Sequence, residues 1–260
     1  MIVDIHVHIR LTRYDNDSCK RETEKLLDCM DRVGIDKVNV MPMLIGSGPG
    51  YYYNEKGITF CAECLTRMQN EYADRFLSML WINSNLDIGF LKDLIQEHII
   101  NGPINGVKLH ADMNAADKRL EPLAGFLEKH DIPVLFHCWY NTVGKGFHES
   151  DPSDIAFLAQ KFPGLRITMA HLGGGRHRGV QDIKKHRNVS VDTSGSYQED
   201  GYLEYALNEL GPDRILYGSD YPGRDFATSL ARIDSLELAA EVKEKLFAGN
   251  ALRFLRGWKL

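Results

Sequence analysis

Two histidines one residue apart open the chemistry of this chain. The first nine residues, Met1-Ile-Val-Asp-Ile-His-Val-His-Ile, are an apolar run carrying His6 and His8 at alternate positions. In a β-strand, residues two apart project from one face, so both imidazoles leave a buried strand in the same direction. Two co-directed imidazoles are half of a transition-metal site; alone, they also suit two core histidines bonded to neighbours. The pattern of an apolar run closed by a proton-carrying side chain then recurs. Runs end in Lys108-Leu-His110, Phe-His137-Cys, Met-Ala-His171 and Gly-Ser-Asp220. Three imidazoles and one carboxylate form a set that suits Zn2+ first, with Mn2+, Fe2+ or Co2+ also accommodated. A cation held this way with one open position lowers the pKa of bound water to about 7 and polarises a carbonyl. A carboxylate or further imidazole beside that water can take its proton.

Such groups need elements that bring them together. Apolar runs predict eight strands, at Ile2–His8, Lys37–Met41, Phe76–Ile82, Gly106–His110, Pro133–Cys138, Arg166–His171, Val189–Thr193 and Arg214–Ser219. The stretches between them read as helices. Arg21–Val33 carries Leu26, Leu27, Met30 and Val33 at helical spacing and stops at Gly34. Ser153–Phe162 follows a cap residue and a first-turn proline, Asp151-Pro152, and Gly201–Leu210 ends at Gly211-Pro212. Eight β-then-α units in one uninterrupted chain predict an α/β fold, a single-domain (β/α)8 TIM barrel over residues 1–260. An open doubly wound sheet would place a Gly-x-Gly-x-x-Gly after the first strand, where two histidines stand instead. The barrel demands that reactive groups sit where strands end, and they do. The glycine- and tyrosine-rich connection Leu44–Asn54 suits either a lid, with Tyr51, Tyr52 and Tyr53 as substrate contacts, or a packed surface loop.

Bulk composition excludes several function classes. At 43% hydrophobic and 26% charged residues the chain has an ordinary globular balance, and a net charge of −5 argues against nucleic acid or an anionic membrane as partner. There is no apolar run of about 18 residues and no basic-plus-apolar leader. Five cysteines in such a chain predict reduced thiols and a cytoplasmic location. Cys61 and Cys64 form a C-x-x-C within the helical stretch Ile58–Tyr72; with no second pair downstream, they read as two thiols packed on one helical face.

In sequence order the pieces D-I-H-V-H, A-D-R-F, G-V-K-L-H, the fifth-strand histidine, A-H-L-G-G, Y-G-S-D-Y-P and G-N-A-L-R-F-L resemble the amidohydrolase superfamily. The branch resembled is amidohydrolase-2, which contains aminocarboxymuconate-semialdehyde decarboxylase and related hydrolases. The resemblance implies one divalent metal held by His6, His8, His137 and Asp220, with His171 as catalytic histidine and Asp220 contacting the metal-bound water as well. Lys108 and His110 share a strand phase. In other branches a lysine at this place is carbamylated and bridges two metals; pocket lining or substrate contact is the simpler role here. The branch usually continues G-V-K-L-H with proline, whereas Ala111-Asp112 follows here.

Arg10, Arg176, His177, Arg178 and Arg224 flank the strand exits and suit either a substrate carboxylate or the solvated surface. His98, His130, His148 and His186 read as surface residues. The leading expectation is a metal-dependent hydrolase of a small, carboxylated amide, ester or lactone. A non-oxidative decarboxylase of an aromatic or muconate-type acid would use the same site, and a non-catalytic binding barrel is a third reading. The partner expected is a small molecule, and the analogy allows a homodimer.

Overall fold

A computed structural model describes residues 1–45, 53–140, 148–196 and 200–255. Eight parallel strands follow one another in space as in sequence: β1 (Val3–Leu11), β2 (Lys37–Leu44), β3 (Phe76–Trp81), β4 (Gly106–Leu109), β5 (Val134–Phe136), β6 (Ile167–Met169), β7 (Val189–Asp192) and β8 (Ile215–Leu216). Backbone bonds from Ile5 N to Tyr217 O (2.9 Å), His8 N to Tyr221 O (2.7 Å) and Asp220 N to His6 O (2.8 Å) join β8 and its extension back to β1. The sheet thus curls into the (β/α)8 barrel that the sequence predicts.

The connections are helical: α1 (Asn16–Val33), α2 (Glu55–Glu71), α3 (Ile88–Ile95), α4 (Glu121–Lys129), α5 (Pro152–Lys161), α6 (Leu172–Ile183), α7 (Tyr202–Leu210), α8 (Phe226–Asp234), α9 (Ala240–Glu244) and α10 (Asn250–Phe254). Local chemistry sets their ends. The Asp15 side chain accepts from Ser18 N (2.6 Å) to start α1, and Gly34 ends it at φ 77°, a left-handed turn glycine adopts without steric cost. Asp151 and Asp154 form a reciprocal capping box at α5, with Pro152 in its first turn.

Two apolar clusters hold the barrel. The larger lies between strands and helices and includes Val7, Ile9, Leu26, Met30, Val107, Phe136, Ile155 and Val191. The smaller joins Val3, Ile5, Met41, Leu77, Met79, Leu135, Ala170 and Leu216 to Ala251, Leu252 and Phe254. Residues of five strands, with Ala170 just past β6, touch one another through the barrel interior, and α10 packs beneath them as a floor. The floor leaves the opposite, C-terminal mouth for polar groups.

The structure departs from the sequence reading in three respects. Cys64 is bonded to Cys19 of α1 in a disulfide, against the expected reduced thiols; Cys61, also buried on α2, stays free. His186 is buried at 9% exposure instead of lying on the surface. The later strands are shorter than predicted, so His110, His137, His171 and Asp220 lie just past the last paired residues. Among the described residues no helix is long and apolar enough to cross a membrane. Tyr51 and Tyr52 of the expected lid lie outside the described residues.

Candidate metal centre

At the barrel mouth, His6 and His8 project from β1 into a compact donor group with Asp220. His6 Nε2 lies 3.2 Å from His8 Nε2, and Asp220 Oδ1 lies 3.6 Å and 3.4 Å from the two nitrogens. Donors bound at 2.0–2.1 Å around a tetrahedral ion stand about 3.3 Å apart, so this spacing matches a shared cation. The seam bond from Asp220 N to His6 O aims the carboxylate, and Asp220 itself sits at φ 65°. His171, at φ 71°, and Arg176, at φ 54°, are also held at positive φ on this side of the barrel, where the cost is of order 1–2 kcal/mol each. Backbone of this kind persists where surrounding structure enforces it, commonly at reactive sites.

The hydrogen-bond partners sort the four imidazoles. His6 Nδ1 donates to Asp192 Oδ2 (2.8 Å), His8 Nδ1 to the Met41 carbonyl (3.0 Å), and His137 Nε2 to Glu149 Oε1 (2.9 Å). Each partner is acceptor-only, so each ring carries its proton on the tied nitrogen and presents a bare lone pair at the other. His171 is held differently. Its Nδ1 donates to the Ser194 hydroxyl at 2.8 Å, because that hydroxyl gives its own proton to Asp192 Oδ1. His171 therefore also carries its proton on Nδ1 and keeps a bare Nε2, held through a hydroxyl relay where the other three are tied directly.

Burial makes these choices consequential. His6, His8, Lys108, His171, Asp192 and Ser194 are all 4% exposed or less. Burial and the Lys108 charge push His6 down to about 4, and burial lowers Lys108 to about 8. Burial also holds His171, His110 and His137 below the ordinary histidine value, with neighbouring imidazoles adding to the effect on the first two. For Asp220, burial opposes ionisation, but the imidazoles of His6, His171 and His8 outweigh it and keep the carboxyl well below its usual range.

His137 stands slightly apart. Its Nδ1 lies 3.2 Å from His171 Nε2, outside the tight His6–His8–Asp220 group. Lys108 Nζ points inward, 3.4 Å from His6 Nε2, and the His110 ring lies between those of Trp81 (4.7 Å) and His137 (4.2 Å). Tyr53 stacks on Trp81 at 4.8 Å, which continues an aromatic wall from His110 outward. Arg10, His177, Arg178 and Arg224 are exposed and Arg176 is half-buried. Arg224 donates to Ser196 Oγ, and Arg178 to Tyr140 Oη at 2.8 Å.

Three residues of this centre escaped the sequence reading. Asp192 Oδ1 accepts from His171 N and Ser194 N, both at 3.0 Å, while Oδ2 takes the His6 proton, so one carboxylate positions two imidazoles. A signal existed, since Val-Ser-Val-Asp192 closes β7 as other reactive residues close theirs. Ser194 follows two residues on. Glu149, in the loop before α5, follows no apolar run and carries no pattern. Two glycines make the approach possible. A Cβ on Gly218 would lie 3.0 Å from Asp192 Cβ and 3.1 Å from His6 Cβ, and one on Gly174 would meet the Trp139 ring at 2.5 Å.

Known proteins share this architecture. The 5-carboxyvanillate decarboxylase of Sphingomonas paucimobilis superposes with a TM-score of 0.76 at 15% identity, over 98% of this chain and 99% of that one. The enzyme of the same name from Novosphingobium aromaticivorans, complexed with manganese and 4-hydroxy-3-methoxy-5-nitrobenzoic acid, also gives 0.76, at 17% identity over 98% and 95%. The 4-oxalomesaconate hydratase of Rhodopseudomonas palustris gives 0.72 at 15% identity, over 98% and 95%. The amidohydrolase family model, of the amidohydrolase-2 type, matches residues 3–257. With nearly its whole length matched and its histidines gathered at the barrel mouth, the chain belongs to the amidohydrolase family.

Proposed function

We propose that the protein is a divalent-metal-dependent, non-oxidative decarboxylase of a small aromatic or muconate-type acid. The observation that carries this reading is the imidazole arrangement: three rings tied directly to acceptor-only partners, and a fourth, His171, tied through the Ser194–Asp192 relay with its Nε2 bare to take and return a proton. His6 Nε2, His8 Nε2 and Asp220 Oδ1 would hold the ion, with His137 Nδ1 as the further ligand. Bound there, Zn2+ or Mn2+ would supply a Lewis acid that fixes and polarises substrate oxygens. The manganese of the Novosphingobium relative supports a divalent ion of this class.

The remaining residues suit the acid itself. The Tyr53–Trp81–His110 wall offers flat apolar faces against which a planar ring packs. Lys108 is a cation inside the barrel, placed to meet an anionic oxygen. Decarboxylation then needs a proton delivered to the ring carbon that bears the carboxylate. The bond to the carboxylate carbon breaks, its electron pair returns to the ring, and CO2 leaves. His171, whose Nε2 is bare while Nδ1 is tied to Ser194, and Asp220 are the groups that move this proton. Hydrolysis of a lactone or amide, the first expectation from the sequence, receives support from family membership alone, whereas aromatic-acid decarboxylases recur among the structural relatives.

The test is a paired screen of the Mn-loaded protein. Carboxylated phenols and muconate-type acids are followed by CO2 release, and lactones and amides by ring opening or fragment release. The reading expects CO2 release that disappears in His171→Asn and Asp220→Asn. Ring opening without CO2 would replace it with the hydrolase reading.

A further inference from the structure

We propose that the floor of the barrel, opposite the metal centre, binds a small phosphate-bearing anion. Three arginines stand at the entries of three adjacent strands: Arg166 just before β6, Arg187 two residues before β7 and Arg214 just before β8. Neighbouring strands lie about 4.8 Å apart, so the three side chains start side by side. Arg253 of α10 joins them, and together they line a cavity of about 620 Å³ that also includes Ser190 and Phe254.

The charge there is unbalanced. The chain as a whole carries −5, yet four guanidinium groups meet at this cavity with Asp213 as the acidic residue of its wall. Asp213 is already engaged by Lys245 Nζ at 2.9 Å and, more distantly, by Arg253 at 3.9 Å. Arg166 has its own partner outside, with Nε 2.9 Å from Asp131 Oδ1. Among the described residues, neither Arg187 nor Arg214 forms an ion pair.

Their structural work differs. Arg214, 7% exposed, donates to the carbonyls of Val189, Lys184, Ile183 and His186, and so ties the end of α6 to the start of β7. That explains its burial, which lowers the guanidinium to about 10, with the Arg187 charge adding to the effect. Arg187 is exposed and has no hydrogen bond among the described residues; Arg253 spends only Nη2, on Asp213 O and Asn250 Oδ1. Gathering like charges costs free energy unless an anion enters. Arg166 and Arg214 are committed to Asp131 and to backbone carbonyls, so the guanidinium of Arg187 and the remaining donors of Arg253 are the groups that suit the oxygens of phosphate. The Phe254 ring, 6.0 Å below the Arg166 guanidinium, gives an organic part of the ligand an apolar surface.

Equilibrium dialysis with inorganic phosphate as probe, at physiological ionic strength, tests this on the metal-loaded protein. The expected result is saturable binding of one equivalent, weakened at least about tenfold by Arg187→Glu and by the milder Arg187→Gln. Binding should be unchanged in Asp220→Asn, which separates the floor from the mouth. Arg187 variants should keep wild-type thermal stability, because that side chain forms no hydrogen bond or ion pair among the described residues. Absence of saturable binding, binding indifferent to both Arg187 variants, or loss with Asp220→Asn instead would each overturn the proposal. The proposal is independent of which reaction the mouth performs.

Discussion

Asp192→Asn isolates the role of the carboxylate that the sequence reading missed. Asp192 accepts from His6 Nδ1, His171 N, Ser194 N and Ser194 Oγ, and is fully buried. An asparagine keeps one acceptor oxygen, which can remain with His171 N and Ser194. Its amide nitrogen then faces His6 Nδ1–H, a donor against a donor. Either this buried pair stays unsatisfied, at about 1–3 kcal/mol, or His6 moves its proton to Nε2 and withdraws the lone pair from the centre. Loss of such an orienting partner weakens metal binding by about 10–100-fold, or about 1.4–2.7 kcal/mol. Competition of the metal-free protein with a fluorescent Mn2+ or Zn2+ chelator reads this directly. A variant that folds and binds metal within about twofold of wild type would refute the argument that Asp192 fixes His6.

Other outcomes follow from the same geometry. Gly218→Ala puts a methyl 3.0–3.1 Å from the Cβ atoms of Asp192 and His6, both buried and mutually bonded. It should cost about 1–3 kcal/mol in urea unfolding and weaken metal binding too; wild-type affinity would show that the dyad yields. Asp4 is fully buried and its carboxyl is raised from 3.8 to about 7, with burial as the main cause. Because its folded value is raised, its stabilising contribution is present at low pH and is lost as pH climbs through about 7. The difference approaches about 4 kcal/mol at full ionisation. Asp4→Asn should therefore gain stability relative to wild type as pH rises from about 4 to 7 and hold that gain above it, and a flat difference between about pH 4 and 7 would contradict it. The Cys19–Cys64 bond closes a loop of 45 residues' separation, worth about 4 kcal/mol on the chain-entropy scale. Reductant should lower the melting temperature by about 7 °C, and an unchanged melting curve would argue against the bond.

The parts legible in the sequence were those with a single local cause. Apolar runs of five to seven residues marked all eight strands because a barrel strand is buried on both faces, and His6 and His8 declared their shared direction through the two-residue period alone. Strand ends were less legible. His171 and Asp220 take left-handed backbone conformations that no ladder accommodates, so β6 and β8 stop earlier than their apolar letters. Helix α1 starts five residues before its prediction, because the Asp15 cap acts on a polar first turn that has no apolar period. What depends on contacts distant in the chain was hidden. Cys19 and Cys64 meet only because α1 and α2 lie side by side. Glu149 reaches His137 from a loop without any periodic mark. Asp192 bore the same strand-closing signature as its neighbours, but only the fold shows that it faces His6, 186 positions away.

The account rests on one ion shared by His6, His8 and Asp220 that supports loss of CO2. Titration of Mn2+ into metal-free protein, with CO2 release from a carboxylated phenol as readout, joins both parts. The account predicts activity that rises to a plateau at one equivalent per chain and is absent at every metal concentration in Asp220→Asn. Activity that is full without metal, or that survives Asp220→Asn, would contradict it.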